Sequence, residues 1–153
     1  MMTYSEEYDL NNVEQSICMT QGNLFRHVAN EGVDMEWFVE KYLSSDFCRR
    51  SMDTIYSRFF TADELEHLDF IIPEIGELKK NPYGYFDGNV AYWMGFIYRQ
   101  LYIQTGISSK ELIKIIPFQK MCNVYPGLHT VDEEMATDIL CENFKLTKNK
   151  REM

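Results

Sequence analysis

NVAYWMGFIYRQLYIQT, residues 89–105, is apolar nearly all the way round when wound as a helix: Val90, Trp93, Met94, Phe96, Ile97, Leu101 and Ile103 alternate with Tyr92, Tyr98 and Tyr102. A helix without a polar face must be enclosed by other elements, so this stretch is expected at the middle of a bundle. Its only charge, Arg99, stays protonated and therefore has to be paired or aimed at a cleft. Pairing with Asp132 or Glu133 is the expected arrangement; a position at a surface seam and an anchor for a partner are the alternatives. The run is also too short, and too interrupted by Arg99, for the roughly 20 apolar residues of a membrane helix.

Working outward, Gly106 supplies a left-handed cap, and Ser108 with Glu111 has the spacing of a capping box that opens a short helix through Ile116. Pro117 suits the first turn of the next helix, expected to stop before Pro126. Thr130 with Glu133 predicts a last helix from Val131 to about Phe144 that buries Met135, Ile139 and Leu140. Upstream, NPYGYFDGN at 81–89 combines turn formers into the clearest loop of the chain. Before it, Thr61 with Glu64 predicts a helix carrying Leu65, Leu68 and Ile72 on one buried stripe, ended or kinked by Pro73. A first helix is expected from Asn12 to about Ala29, with Val13, Ile17, Leu24 and Val28 near one face and Gly22 interrupting it. A second follows from Asp34 to Leu43 with Trp37, Phe38 and Leu43 inward, and a short third runs from the Ser44-Ser45-Asp46 cluster to Met52. No alternating runs flank a hairpin turn, so the class is all-α: a single-domain irregular helical bundle over 1–145, with a frayed basic tail at 146–153.

The 153 residues carry 24 acidic against 15 basic side chains, a formal charge of -9, which disfavours general contact with phosphate backbones or anionic lipid. All of the excess lies in the first half: residues 1–80 hold 16 acidic and 7 basic residues, and residues 81–153 hold 8 of each. Such asymmetry fits a face built for a basic partner, centred on Asp63, Glu64, Glu66 and Asp69. The N-terminus, MMTYSEEYDL, has neither the positive charge nor the apolar core of a secretory signal, so a cytoplasmic protein is expected, with no membrane association.

Cys18, Cys48, Cys122 and Cys141 lack CxxC spacing and read as reduced, mostly buried thiols. His27, His67 and His129 fall in separate segments, so neither a metal nor a cofactor is expected. Cys122, His129 and Asp132 have the residue types of a nucleophile, a base and an orienting acid, which keeps an enzymatic reading open as a lesser alternative. SSKELIKIIPFQKMCNVY at 108–125 is locally basic and could form a helix-turn-helix, which would make the chain a small DNA-binding regulator. Tyr83, Tyr85, Phe86, Tyr92, Trp93, Tyr98 and Tyr102 are candidates for a shared core, pocket or interface.

One resemblance adds to this. The segment 92–140, with Tyr98-Arg99, Thr105-Gly106 before Ser108 to Glu111, and Leu128-His129-Thr130 before Asp132, resembles small bacterial all-α proteins encoded beside toxin-antitoxin type genes. A weaker similarity extends through MEWFVEKYLSSDFCRRSMD at 35–53. Gly127-Leu128 departs from the bulkier pair of that pattern. The resemblance implies antitoxin-like binding and no catalytic residues. The function expected is therefore occlusion of a co-encoded protein with a basic surface, through Asp63, Glu64, Glu66, Asp69, Tyr92, Arg99, Tyr102 and His129; a phage-type inhibitor mimicking nucleic acid would share that mechanism.

Overall fold

The computed structural model describes residues 10–149. The acidic segment 1–9 and residues 150–153, which include Lys150 and Arg151 of the basic tail, lie outside the described residues. Among the described residues eight α-helices follow one another: α1 (Asn12–Asn30), α2 (Met35–Leu43), α3 (Asp46–Ser51), α4 (Glu64–Ile75), α5 (Gly88–Thr105), α6 (Ser109–Ile115), α7 (Phe118–Leu128) and α8 (Glu133–Phe144). A 3-10 turn, Arg58–Thr61, precedes α4. Among the described residues there is no strand, only an isolated bridge between Val33 and Lys80 that pins the 76–87 loop to the α1–α2 junction.

The chain is all-α, and α5 is its centre, as its apolar circumference requires. From Trp93 to Thr105 every side chain of α5 is buried. It crosses α1 at two glycines. A Cβ on Gly22 would stand 2.9 Å from the Tyr92 carbonyl oxygen, and one on Gly95 would stand 2.7 Å from the Gln21 carbonyl oxygen. Both positions therefore need a residue without a side chain, because the two backbones approach more closely than any Cβ allows. Gly22, an interruption of the α1 pattern, is thus a contact point. Phe25 of α1 lies edge-on to Phe38 and Tyr42 of α2, which stack on each other at 5.7 Å. This wraps α2 onto the α1–α5 pair.

Several local expectations change. Of the three threonine or serine boxes only Ser108 caps its helix, accepting from the Glu111 amide. Asp63 and Asp132 take over the other two starts, accepting from the Glu66 and Met135 amides. Each lies two residues beyond the expected threonine, and a carboxylate caps as well as a hydroxyl while also favouring the positive end of the helix dipole. A further box, reciprocal between Asn11 and Glu14, opens α1. Pro73 and Pro126 sit inside α4 and α7 instead of ending them, within the last turn of each helix. Val13 and Met135, expected inward, are 67% and 50% exposed. Residues 146–149, read as frayed, instead dock: the Asn149 amide donates to the Gln104 carbonyl, and Lys148 pairs with Glu134 and Asp138.

Candidate functional site

Two charged regions define what the surface and the interior can do. The interior one is built on Arg99. Its guanidinium is fully buried and donates from Nη1 to Asp53 Oδ1 at 2.7 Å, and from Nε and Nη2 to Gln21 Oε1 at 3.0 and 2.7 Å. Nη2 also reaches Cys48 Sγ at 3.3 Å and Ser109 Oγ at 3.2 Å. Asp53 is held in turn by the Ser109 amide and hydroxyl, at 2.7 and 2.6 Å. Gln21 donates its own Nε2 to the Gly95 carbonyl, on the same close crossing. Burial works against the charge, but the Asp53 carboxylate beside it and the hydrogen bond it accepts outweigh that cost, and the arginine is held even more firmly protonated than in water. The same burial pushes the Cys48 thiol up, against the lowering effect of Arg99.

The partner is therefore Asp53, from the segment after α3, and neither Asp132 nor Glu133. Asp132 is occupied as the α8 cap. With an acceptor inside for each of its three nitrogens and no exposed surface, Arg99 ties α1, α3, α5 and α6 together and presents nothing to a partner. Tyr102, 9% exposed, packs with its ring centroid 5.1 Å from the Arg99 guanidinium, so it too leaves the expected contact surface.

The surface region is α4. Residues 63–77 hold six carboxylates, Asp63, Glu64, Glu66, Asp69, Glu74 and Glu77, and no lysine or arginine. The helix is rotated from the expected stripe. Its buried side chains are His67, Leu68 and Ile71, while Leu65 is 63% and Ile72 36% exposed. Leu65, Asp69 and Ile72 follow the i, i+4, i+7 spacing of one helical face, and that face points outward. The rotation has a cause in the 3-10 turn: His67 Nε2 donates to the Phe59 carbonyl at 2.8 Å, and its ring is edge-on to Phe47 and Phe59. Burial keeps this imidazole below its ordinary range, so the ring is neutral and its Nδ1 is left as an acceptor without a partner. At the other end, the Glu74 carboxylate accepts the Asp46 and Phe47 amides at 2.6 and 2.9 Å, fastening α4 to α3. Glu66 pairs with Arg58 at 3.1 Å, and Arg58 lies over the Phe59 and Phe70 rings.

The remaining sequence candidates are not gathered at α4. Tyr92 is half-buried on α5 beneath the Arg26 guanidinium, 4.3 Å from its ring centroid. His129 caps the end of α7, stacked on Tyr125 at 4.3 Å, with Nδ1 against the Tyr125 carbonyl. The aromatic set disperses likewise: Tyr83 and Tyr85 are exposed on the loop, Phe86 meets Phe118, Trp93 meets Tyr125, and the Tyr98 hydroxyl donates to the Ile116 carbonyl. Cys122 has its thiol pushed up to about 11 by burial and by Glu36, while His129 and Asp132 are engaged as described with the backbone. The 108–125 segment does form two consecutive helices, α6 and α7, joined through Ile116 and Pro117; Lys114 on α6 pairs with Glu111 and Lys120 on α7 lies over Phe144. Among the described residues no group of His, Cys, Asp and Glu is placed to hold a metal ion, and no helix is long and apolar enough to cross a membrane.

Comparison of the chain with protein-family models, with curated proteins and with solved structures finds no match. The fold class and the two charged regions are thus what the molecule itself supplies toward a function.

Proposed function

We propose that the protein is an interaction module that occludes the basic surface of a protein partner with the outward face of α4, in the antitoxin-like manner that the sequence resemblance implies. The observation that carries this is the exposure of Leu65 and Ile72 on a helix that itself carries carboxylates and no lysine or arginine. Two apolar side chains inside a rim of carboxylates form the pattern of an interface centre with a polar edge. The face is also pre-set: the His67–Phe59 hydrogen bond and the Glu74 clasp on α3 fix α4, so docking orders little further chain. Complementary charge speeds encounter with a basic partner, and Leu65 and Ile72 hold the complex once it forms.

The binding partner to test is the protein encoded by the adjacent gene. Reversing Asp63 or Glu66 would confuse the result, because Asp63 caps α4 and Glu66 is paired with Arg58. Asp69 and Leu65 have no such duty. The double variant Leu65→Ser with Asp69→Lys is expected to weaken binding by about tenfold or more while the fold is kept. Raising the salt to about 0.5 M is expected to slow association of the native chain. Affinity unchanged in the double variant would remove α4 from the reading.

A further inference from the structure

Helix α4 is fastened to its neighbours near both ends, by His67 toward its start and by Glu74 toward its finish, with Leu68 and Ile71 buried between. The His67 ring is fully buried: Nε2 donates to the Phe59 carbonyl at 2.8 Å, and the Phe47 and Phe59 rings stand edge-on to it, each at 5.7 Å. Nδ1 is buried as well and has no hydrogen-bond partner. A neutral imidazole keeps only a lone pair there, whereas an imidazolium would hold a second N–H donor, charged and without an acceptor. The turn that receives Nε2 is itself anchored, because the Thr20 hydroxyl of α1 donates to the Phe60 carbonyl at 2.8 Å. When the joint gives way, α4 is therefore the part that moves.

The charges around the joint favour the open arrangement once a proton arrives. Asp63, Glu64 and Glu66 of α4 attract an imidazolium, but burial outweighs them while the ring is seated. Glu66 is also paired with Arg58 of the 3-10 turn, which lies over Phe59 and Phe70. From α3 comes Asp46, paired with Arg49 and Arg50, and Glu74 is occupied by the α3 amides. Glu40 and Lys41 of α2 lie beside the Glu74 end of α4, and α1 carries His27, an i+7 neighbour of Thr20. None of these groups hydrogen-bonds Nδ1. In water the same α4 carboxylates stabilise the imidazolium with no burial to oppose them.

We propose that His67 is a proton-operated latch: uptake of one proton at Nδ1 unseats α4 from the 3-10 turn while the α1–α5 core stays folded. The proton comes from solvent, and the hydrogen bond to the Phe59 carbonyl is what gives way. Release also loses the orientation that holds Leu65 and Ile72 outward. Mild acid therefore frees a docked partner, a consequence that rests on the docking function proposed for α4, as the latch itself does not.

The test follows the isotopically labelled full chain by NMR from about pH 7.5 to about pH 4.5, reading the His67 ring, the amides of residues 58–75 and the Arg99 Nε–H. The ring is expected to titrate below the ordinary histidine value of about 6.5, with the α4 amides shifting in step. The Arg99 Nε–H and the α5 amides are expected to hold their positions through that transition. Glu74→Gln weakens the second fastening, so opening costs less and the shared midpoint is expected to rise toward the ordinary value. His67→Gln is expected to abolish the α4 transition, and His27→Gln to leave it in place. A histidine that is only structural gives a different pattern, in which α4 and α5 change together as the whole chain unfolds. That pattern, a ring titrating while α4 stays still, or a midpoint unmoved by Glu74→Gln would each overturn the latch. Partner binding measured at about pH 7.5 and about pH 5.5 then separates the two proposals. Constant affinity across an observed α4 transition contradicts docking by α4 and leaves the latch standing.

Discussion

The Arg99 cluster and the α4 face are both rich in charge, yet they are opposites in construction. In the first, one guanidinium is matched by one carboxylate, and Gln21, Ser109 and Cys48 take up the remaining donors. In the second, Arg58 answers Glu66 and backbone amides hold Asp63 and Glu74, while the Asp69 carboxylate stands on the same face as two uncovered apolar side chains. A buried charge survives only when its neighbours complete it, and completion leaves it nothing to offer outside. An exposed cluster costs little to keep incomplete, and its incompleteness is what a partner can use. Number of charges therefore says less about function than whether each charge is already answered within the molecule.

The largest effect should come from breaking the interior region. Asp53→Ala strands the Arg99 guanidinium in the core and is expected to cost ~3–5 kcal/mol in denaturant unfolding. Pairing it with Arg99→Met removes the stranded charge, and the double variant should recover a good part of the loss. If Asp53→Ala alone were harmless, the cluster would not be the knot described here. Next in size is Gly95→Ala, which places a methyl group against the Gln21 carbonyl at the α1–α5 crossing; overpacking there is expected to cost ~1–3 kcal/mol. Since Gln21 anchors Arg99, that substitution should also sensitise the fold to further changes in the cluster, whereas an equivalent change at the open Gly127 should not.

A smaller effect links α4 to pH. The folded chain holds the His67 imidazole neutral below the ordinary histidine range, so between that lowered value and about 6.5 the unfolded chain binds the extra proton. Stability should accordingly be complete above about pH 6.5 and fall as the pH drops through that window. The unfolding midpoint followed against pH should show this decline, and His67→Gln, which can still donate to the Phe59 carbonyl, should flatten it. A midpoint indifferent to pH in the native chain would contradict the burial argument.

The smallest expected stability change belongs to the surface region. Leu65→Ser with Asp69→Lys should shift unfolding by less than about 0.5 kcal/mol, because neither side chain supports the core. That contrast with Asp53→Ala would sharpen the comparison: heavy structural cost with no exposed surface altered in one region, and altered docking at almost no structural cost in the other.

How much of this was legible in sequence follows from range. The centrality of α5, the left-handed Gly106 cap and the Ser108 start are written within one or two turns of chain, in periodicity and capping chemistry. Arg99 announced that it needed an answer but not where the answer lay. Asp53 is 46 residues away, in a segment between helices, and nothing local marks it. Gly22 and Gly95 did carry a signal, since glycine inside two long helices points to close backbone approach, but which helices meet is a tertiary fact. On α4 the acidic residues were plain, and the orientation was not: the Leu65, Leu68, Ile72 stripe is a reasonable buried face until the His67–Phe59 hydrogen bond turns the helix. Burying a histidine and exposing a leucine is the reverse of the usual order, and only the 3-10 turn beside it accounts for the exchange.

The most direct test is methyl cross-saturation NMR on the chain bound to the product of the adjacent gene, with the partner's protons irradiated. Saturation should pass to the Leu65 and Ile72 methyl groups and spare those of Leu68 and Ile71, which the same helix buries against the core. Saturation confined to other faces, with Leu65 and Ile72 untouched in a formed complex, would contradict the docking role given to α4.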